Sequence, residues 1–288
     1  MGDRHIRIRE LLHPLKHHVH RLWDASPWTL IALGLNGGVA LLFGFMSLGS
    51  HQSSDAQAVV RPFSHAIRPS PVLGERHQLN YDQWVQLLAQ EAQVAATQQP
   101  DHLTILLGDS ISLWFPNDLL PPNRYWLNQG ISGDTSEGVL GRLSLLDATN
   151  PQTILLMIGI NDLLRGVDDE VILQNYTAII QYLKQAHPET QIVVQSILPH
   201  ASEAATWEGR DRLLKIPNDR IRNLNLRLAE LAASEGVYFM NLYTLFADNR
   251  NRLRVDLSTD GLHLNPQGYL VWRSGLQMYI QQVLEAKG

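Results

Sequence analysis

Apolar positions recur at two different periods along the last 210 or so residues of this chain. Tyr81, Trp84, Leu88, Ala92 and Ala95 follow helical spacing and predict an amphipathic helix. Five short apolar runs come next: Leu103 to Leu107, Tyr125 to Ile131, Thr153 to Ile160, Gln191 to Leu198 and Val237 to Leu242. Each has the length of a buried strand. Amphipathic stretches near Ser136 to Leu146, Asp169 to Ala186 and Asn218 to Ser234 separate them. Strands alternating with helices predict an α/β domain with a mostly parallel central sheet covered on both faces. A last helix has a clear start, with Asn265 as N-cap and Pro266 in the first turn. No internal repeat is visible.

The first 78 residues read differently. Trp28 to Leu48 is uncharged and would span roughly 30 Å as a helix, long enough to cross a bilayer. Five Lys/Arg (Arg4, Arg7, Arg9, Lys16, Arg21) precede it, whereas only Arg61 and Arg68 fall within His51 to Ser70. This asymmetry predicts an inside amino terminus and a translocated remainder. The expected organisation is a cytoplasmic tail over 1–27, a transmembrane signal anchor over 28–48, a linker over 49–78 and a single α/β domain over 79–288. The alternative is secretion after signal cleavage, although the apolar core exceeds that of a usual signal peptide. Gly34 and Gly38 have the spacing that lets membrane helices approach closely and suggest weak dimerisation. His5, His13, His17, His18 and His20 fit a solvated or headgroup-facing tail better than a metal site.

Composition narrows the function. The formal charge is 23 − 28 = −5, so no global positive field favours nucleic acid as a partner. The chain has no cysteine, which removes disulfides, thiolate metal sites and a cysteine nucleophile.

In open parallel sheets, ligands bind beyond the carboxyl ends of the strands. Those ends here read Gly108-Asp109-Ser110-Ile111, Asn128-Gln129-Gly130-Ile131-Ser132-Gly133-Asp134-Thr135 and Gly159-Ile160-Asn161-Asp162. Asp260-Gly261-Leu262-His263-Leu264-Asn265 stands just before the last helix. A serine hydroxyl needs a base to become a nucleophile, and an imidazole, with its reference pKa of about 6.5, suits that exchange. Ser110 and His263 are the candidates, with Asp260 three residues earlier as the group that orients the imidazole. The backbone N–H groups of Ser110 and Gly133 and the side-chain amide of Asn161 are candidate donors to a developing oxyanion.

These four segments, in this order, resemble the SGNH hydrolase superfamily, also called GDSL esterases and lipases. The similarity runs from about Leu103 to the last helix, with G-D-S-I at Ser110 in place of the usual G-D-S-L. It implies a three-layer α/β/α sandwich of flavodoxin-like topology, without the G-x-S-x-G elbow of the α/β-hydrolase fold. It implies Ser110 as nucleophile, Asp260 and His263 as its partners, and Ser110, Gly133 and Asn161 as the oxyanion hole. No metal or other cofactor is implied. The expected reaction is hydrolysis of carboxylic esters, with lysophospholipid and O-acetylated carbohydrate among the family's substrates.

Two other readings remain open at this level. Asp109, Asp134, Asp162, Asp260 and His263 could crowd one rim and hold Mg²⁺ or Mn²⁺ for a metal-dependent hydrolase. A membrane-tethered module could bind acylated glycan or lipid without turnover. Substrate choice is expected in the loops Phe115 to Arg124 and His200 to Pro217, the second carrying Trp207, Arg210, Arg212 and Lys215.

Overall fold

The computed structural model describes residues 79–286. The expected anchor at 28–48, its Gly34 and Gly38 pair, the histidine-bearing tail and the linker lie outside the described residues. Among the described residues no helix is long and apolar enough to cross a membrane.

The described chain opens with α1 (Tyr81–Gln98), whose start is fixed by a capping box between Asn80 and Gln83. β1 (Leu103–Gly108) leads into the four-residue helix α2 (Ser110–Leu113). β2 (Tyr125–Gly130) and α3 (Ser136–Gly141) follow, and the latter runs into a 3₁₀ turn at Leu143–Leu146. β3 (Thr153–Met157), α4 (Ile160–Leu164) and α5 (Asp169–Ala186) come next. Then come β4 (Gln191–Gln195), α6 (Arg210–Leu213), α7 (Asn218–Ser234), β5 (Tyr238–Met240) and α8 (Tyr243–Phe246). α9 (Pro266–Tyr279) closes the domain and continues as a π turn through Ile280–Leu284.

The strands form one five-stranded sheet in the order β2-β1-β3-β4-β5, and every pairing is parallel. All positions of β1 and β3 are buried, as central strands covered on both faces require, whereas the edge strand β2 begins exposed. Gln191 and Gln195 sit four residues apart on β4 and therefore share a face. Both turn toward the C-terminal helix: Gln191 Nε2 donates to the Leu284 carbonyl, and Gln195 Oε1 accepts from Trp272 Nε1. α5 and α7 pack on each other and on β4, where the alternate residues Ile192 and Val194 are buried. The sheet thus has helical cover on both sides, as the alternation of periods predicts.

Four apolar runs end earlier as strands than expected, the second by one residue and the last three by two or three. Ile158 and Ile160 stay buried, but Gly159 turns the chain and Ile160 opens α4. Ile197 and Leu198 are likewise buried beyond the end of β4, and β5 keeps only three paired residues. An apolar run continues wherever the chain stays inside the core, so its length overstates the strand.

Register is what assembles the rim. Gly108 pairs with Gly130 on one side and Met157 on the other, so β1, β2 and β3 end level. The segments that follow these strands are consequently delivered to one edge of the sheet.

Candidate active site

Ser110 is the first residue of α2, directly after the N-cap Asp109, whose Oδ1 accepts from Ile111 N at 2.9 Å. This short helix is also tied to the end of the domain, because Tyr269 of α9 donates its hydroxyl to the Ile111 carbonyl at 3.0 Å. Ser110 Oγ lies 3.1 Å from His263 Nε2. On the far side of the ring, Nδ1 is 2.8 Å from Asp260 Oδ2. An ionised carboxylate only accepts, so the ring proton belongs on Nδ1 and Nε2 is left to accept from the serine hydroxyl.

The loop that carries Asp260 and His263 is rigidly held. Asp260 Oδ1 accepts from the backbone N–H of Leu262 and of His263 at 3.0 and 2.8 Å. Ser258 Oγ donates to the His263 carbonyl and accepts from Gly261 N. Gly261 adopts φ +89, and a Cβ there would approach Ala205 Cα to 2.5 Å, so only glycine fits. The segment after β4 clamps the same loop: Ala201 N donates to the Gly261 carbonyl, and Thr206 N and Trp207 N donate to that of Asp260. Burial pushes the Asp260 carboxyl upward, but the hydrogen bonds from the His263 ring and from the His263 and Leu262 N–H groups outweigh it and leave it below the usual carboxylate range. Asp260 therefore stays ionised beside the imidazole.

Gly133 sits in the loop after β2 at φ +78, a conformation that side chains disfavour. The backbone N–H groups of Ser110 and Gly133 donate to no acceptor among the described residues. Asn161, on the first turn of α4, donates from Nδ2 to the Asp134 carbonyl at 3.0 Å. Its amide carries two hydrogens, so one donor remains. Three strand ends thus bring one donor each to the rim on which Ser110 lies, and such a set can stabilise negative charge on a carbonyl oxygen.

The carboxylates behind this rim are engaged elsewhere. Asp134 forms a buried ion pair with Arg142 at 2.8 Å, and Arg142 Nη2 also donates to the Gly108 carbonyl at 3.2 Å. Asp162 accepts from Ser136 through both N–H and hydroxyl, at 2.9 and 2.5 Å. Asp109 is buried at the α2 cap, and burial pushes its carboxyl up to about 7. The alternative that gathers Asp109, Asp134, Asp162, Asp260 and His263 around Mg²⁺ or Mn²⁺ finds no support in this geometry. Each acid is satisfied by a different partner, and among the described residues no group of three or more His, Asp or Glu is placed to hold a metal ion.

Arg142 and Arg165 are site residues that sequence reasoning missed. Arg142 does carry a signal, since it lies in phase with the buried Val139 and Leu146, where a charge needs a buried partner. In the expected substrate loop, Arg212 stacks over Trp207 at 5.0 Å, and Arg210 donates to the Glu203 carbonyl.

Known proteins resemble this chain in sequence and in fold. The family model described as the GDSL-like Lipase/Acylhydrolase family matches residues 109–271. The chain is 25% identical over 185 residues to the platelet-activating factor acetylhydrolase IB subunit alpha1 of Bos taurus, covering 61% of this chain and 74% of that one. It is 31% identical over 111 residues to an arylesterase of Vibrio mimicus, covering 32% and 54%. The solved structure of a GDSL-like lipase from Bacteroides thetaiotaomicron matches in fold, with TM-score 0.57, 22% identity and coverage of 69% and 97%. With that match running through every strand-end segment and through the histidine loop, the chain belongs to the GDSL-like lipase/acylhydrolase family, within the SGNH hydrolase superfamily, and is a hydrolase of that type.

Proposed function

We propose that this protein is a serine esterase that cleaves carboxylic esters through an acyl-Ser110 intermediate. The observation that carries this reading is the unbroken chain from Ser110 Oγ to His263 Nε2 at 3.1 Å and from His263 Nδ1 to Asp260 Oδ2 at 2.8 Å. Ser110 Oγ attacks the ester carbon as His263 Nε2 takes its proton. Negative charge grows on the carbonyl oxygen, where Ser110 N, Gly133 N and the free Asn161 amide hydrogen receive it. The carbon–oxygen bond to the alcohol breaks, and the alcohol leaves with the proton from His263. Water then gives a proton to His263 and attacks the acyl carbon, and Ser110 regains its proton as the acid departs. Asp260 holds the ring and stabilises the imidazolium in both steps.

A short acyl group is the first substrate to try, because one relative is named an acetylhydrolase and another an arylesterase. Lysophospholipid and O-acetylated carbohydrate are the extended candidates. The uncharged stretch at 28–48 and the basic residues before it support a single-pass anchor with the catalytic domain on the extracytoplasmic side, close to envelope lipids and glycans. Protease treatment of cells stripped of any outer envelope but with an intact cytoplasmic membrane tests that placement, on the periplasmic side if the cell is bacterial; cleavage of the domain is expected, and cleavage only after lysis of that membrane contradicts it.

Turnover of p-nitrophenyl acetate by wild type and by Ser110→Ala tests the activity. The variant is expected to lose at least about 10³ in kcat while its circular dichroism is unchanged. Activity retained without the hydroxyl contradicts the mechanism. Saturable binding of acylated glycan or lipid with no hydrolysis over an ester panel would favour the tethered binding module instead.

A further inference from the structure

We infer that Arg165 makes this site selective for esters that carry an anionic group, phosphate or carboxylate, beside the scissile bond. The inference rests on the serine-esterase reading and names its substrate class. Asn161 and Arg165 lie four residues apart at the two ends of α4, a spacing that puts both side chains on one face. They grip consecutive carbonyls of the β2 loop: Asn161 Nδ2 donates to Asp134 O at 3.0 Å, and Arg165 Nη2 donates to Gly133 O at 2.7 Å. The guanidinium therefore lies against the glycine proposed to bind the oxyanion, and a Cβ on Gly133 would stand 3.9 Å from Nη2.

Among the described residues no carboxylate contacts the Arg165 guanidinium directly. Arg142, Arg220, Arg227 and Arg252 each meet a carboxylate, whereas Arg165 makes no ion pair among the described residues. Of the acids near it, Asp134 is paired with Arg142, while Asp162 is held by Ser136 and attracts Arg165 through space without an ion-pair contact. Arg165 is exposed, and a guanidinium has five N–H donors, so one bond to Gly133 leaves a donor edge for a second, charged acceptor. The bond to Gly133 also restrains the long side chain before any ligand arrives, which lowers the ordering cost of binding. An arginine fixed against the Gly133 carbonyl, exposed and without an ion-pair contact among the described residues, is a local anion receptor.

The test compares kcat/KM of the full chain on three esters: neutral p-nitrophenyl acetate, mono-p-nitrophenyl succinate with its carboxylate on the acyl side, and 1-acetylglycerol 3-phosphate with its phosphate on the alcohol side. Arg165→Gln is expected to lower the anionic-to-neutral ratio roughly five- to tenfold for at least one anionic ester, mainly through KM, and Arg165→Lys to keep part of it. The arm that responds shows which side of the ester bears the anion. An equal fall on all three esters, or no fall, overturns the inference and leaves Arg165 as an anchor for Gly133. Should the Gln variant misfold, salt decides on wild type: raising ionic strength must lower kcat/KM for the anionic ester and spare the neutral one. A wild type that turns over the acetate without either effect sinks this inference alone. One that hydrolyses none of the three sinks the esterase reading, and the inference falls with it.

Discussion

Two sets of carboxylates meet at one rim and behave in opposite ways. Asp109, Asp134 and Asp162 lie behind the ends of β1, β2 and β3, and burial pushes each of them upward. Their oxygens hold backbone N–H groups, Arg142 or Ser136, and so they fix the loops on which Ser110, Gly133 and Asn161 stand. Asp260 is half-exposed, and bonds from His263 and Leu262 draw it below the usual range. The same residue type is thus a structural staple on one side of the serine and a permanent negative charge on the other. What separates them is the partner: only Asp260 faces an imidazole nitrogen among these four acids.

Removing the charge of Asp260 should break this contrast most visibly. Asp260→Asn is expected to lower kcat roughly 10²- to 10⁴-fold with little change in KM, measured on p-nitrophenyl acetate. A fall of less than about threefold would group Asp260 with the staples. For the buried set the expected damage is to stability. Arg142→Met leaves Asp134 buried without its cation and should cost about 3 to 5 kcal/mol in denaturant unfolding, whereas Arg142→Lys should cost less. A loss for Arg142→Met below about 1 kcal/mol would show that the pair does not secure the loop. Asn161→Ala links the two sets, and a rate loss of about 10² to 10³ is expected where the amide supplies an oxyanion donor. A normal rate with a lowered Tm would make Asn161 only a clip on Asp134.

The smallest effect concerns Asp109. Its carboxyl titrates at about 7 in the fold, above the unfolded value of 3.8, so the folded state holds the proton more tightly. The stability this contributes is complete below about pH 4, declines as pH rises, and is gone above about 7. Asp109→Asn keeps an acceptor for Ile111 N and removes the titration. Its Tm should fall less than that of wild type between pH 5 and pH 7.5, and parallel profiles would contradict the buried, protonated cap.

The catalytic candidates were legible because each sits at a strand end or a helix start that the periodicity already marks. Ser110 follows the largely apolar run Leu103 to Leu107, and His263 stands between Asp260 and a capped helix start, so spacing alone brings the pair into question. The arginines were not legible in the same way. Arg165 finds Gly133 across 32 positions of sequence and Arg142 finds Gly108 across 34, contacts that depend on strand register rather than local pattern. The short helices α2 and α4 were also hidden, because four or five residues are too few to display a period. Their value is to end each apolar run abruptly and present the next side chain at the rim.

The most direct test of the serine-centred reading is covalent labelling with a p-nitrophenyl phosphonate, read by peptide mass spectrometry alongside loss of esterase activity. One adduct on Ser110 is expected, forming at the rate at which activity disappears and unaffected by excess chelator, with labelling at least about 10²-fold slower in His263→Gln. Full inactivation with the adduct on another residue, or labelling of Ser110 that leaves turnover intact, would contradict it.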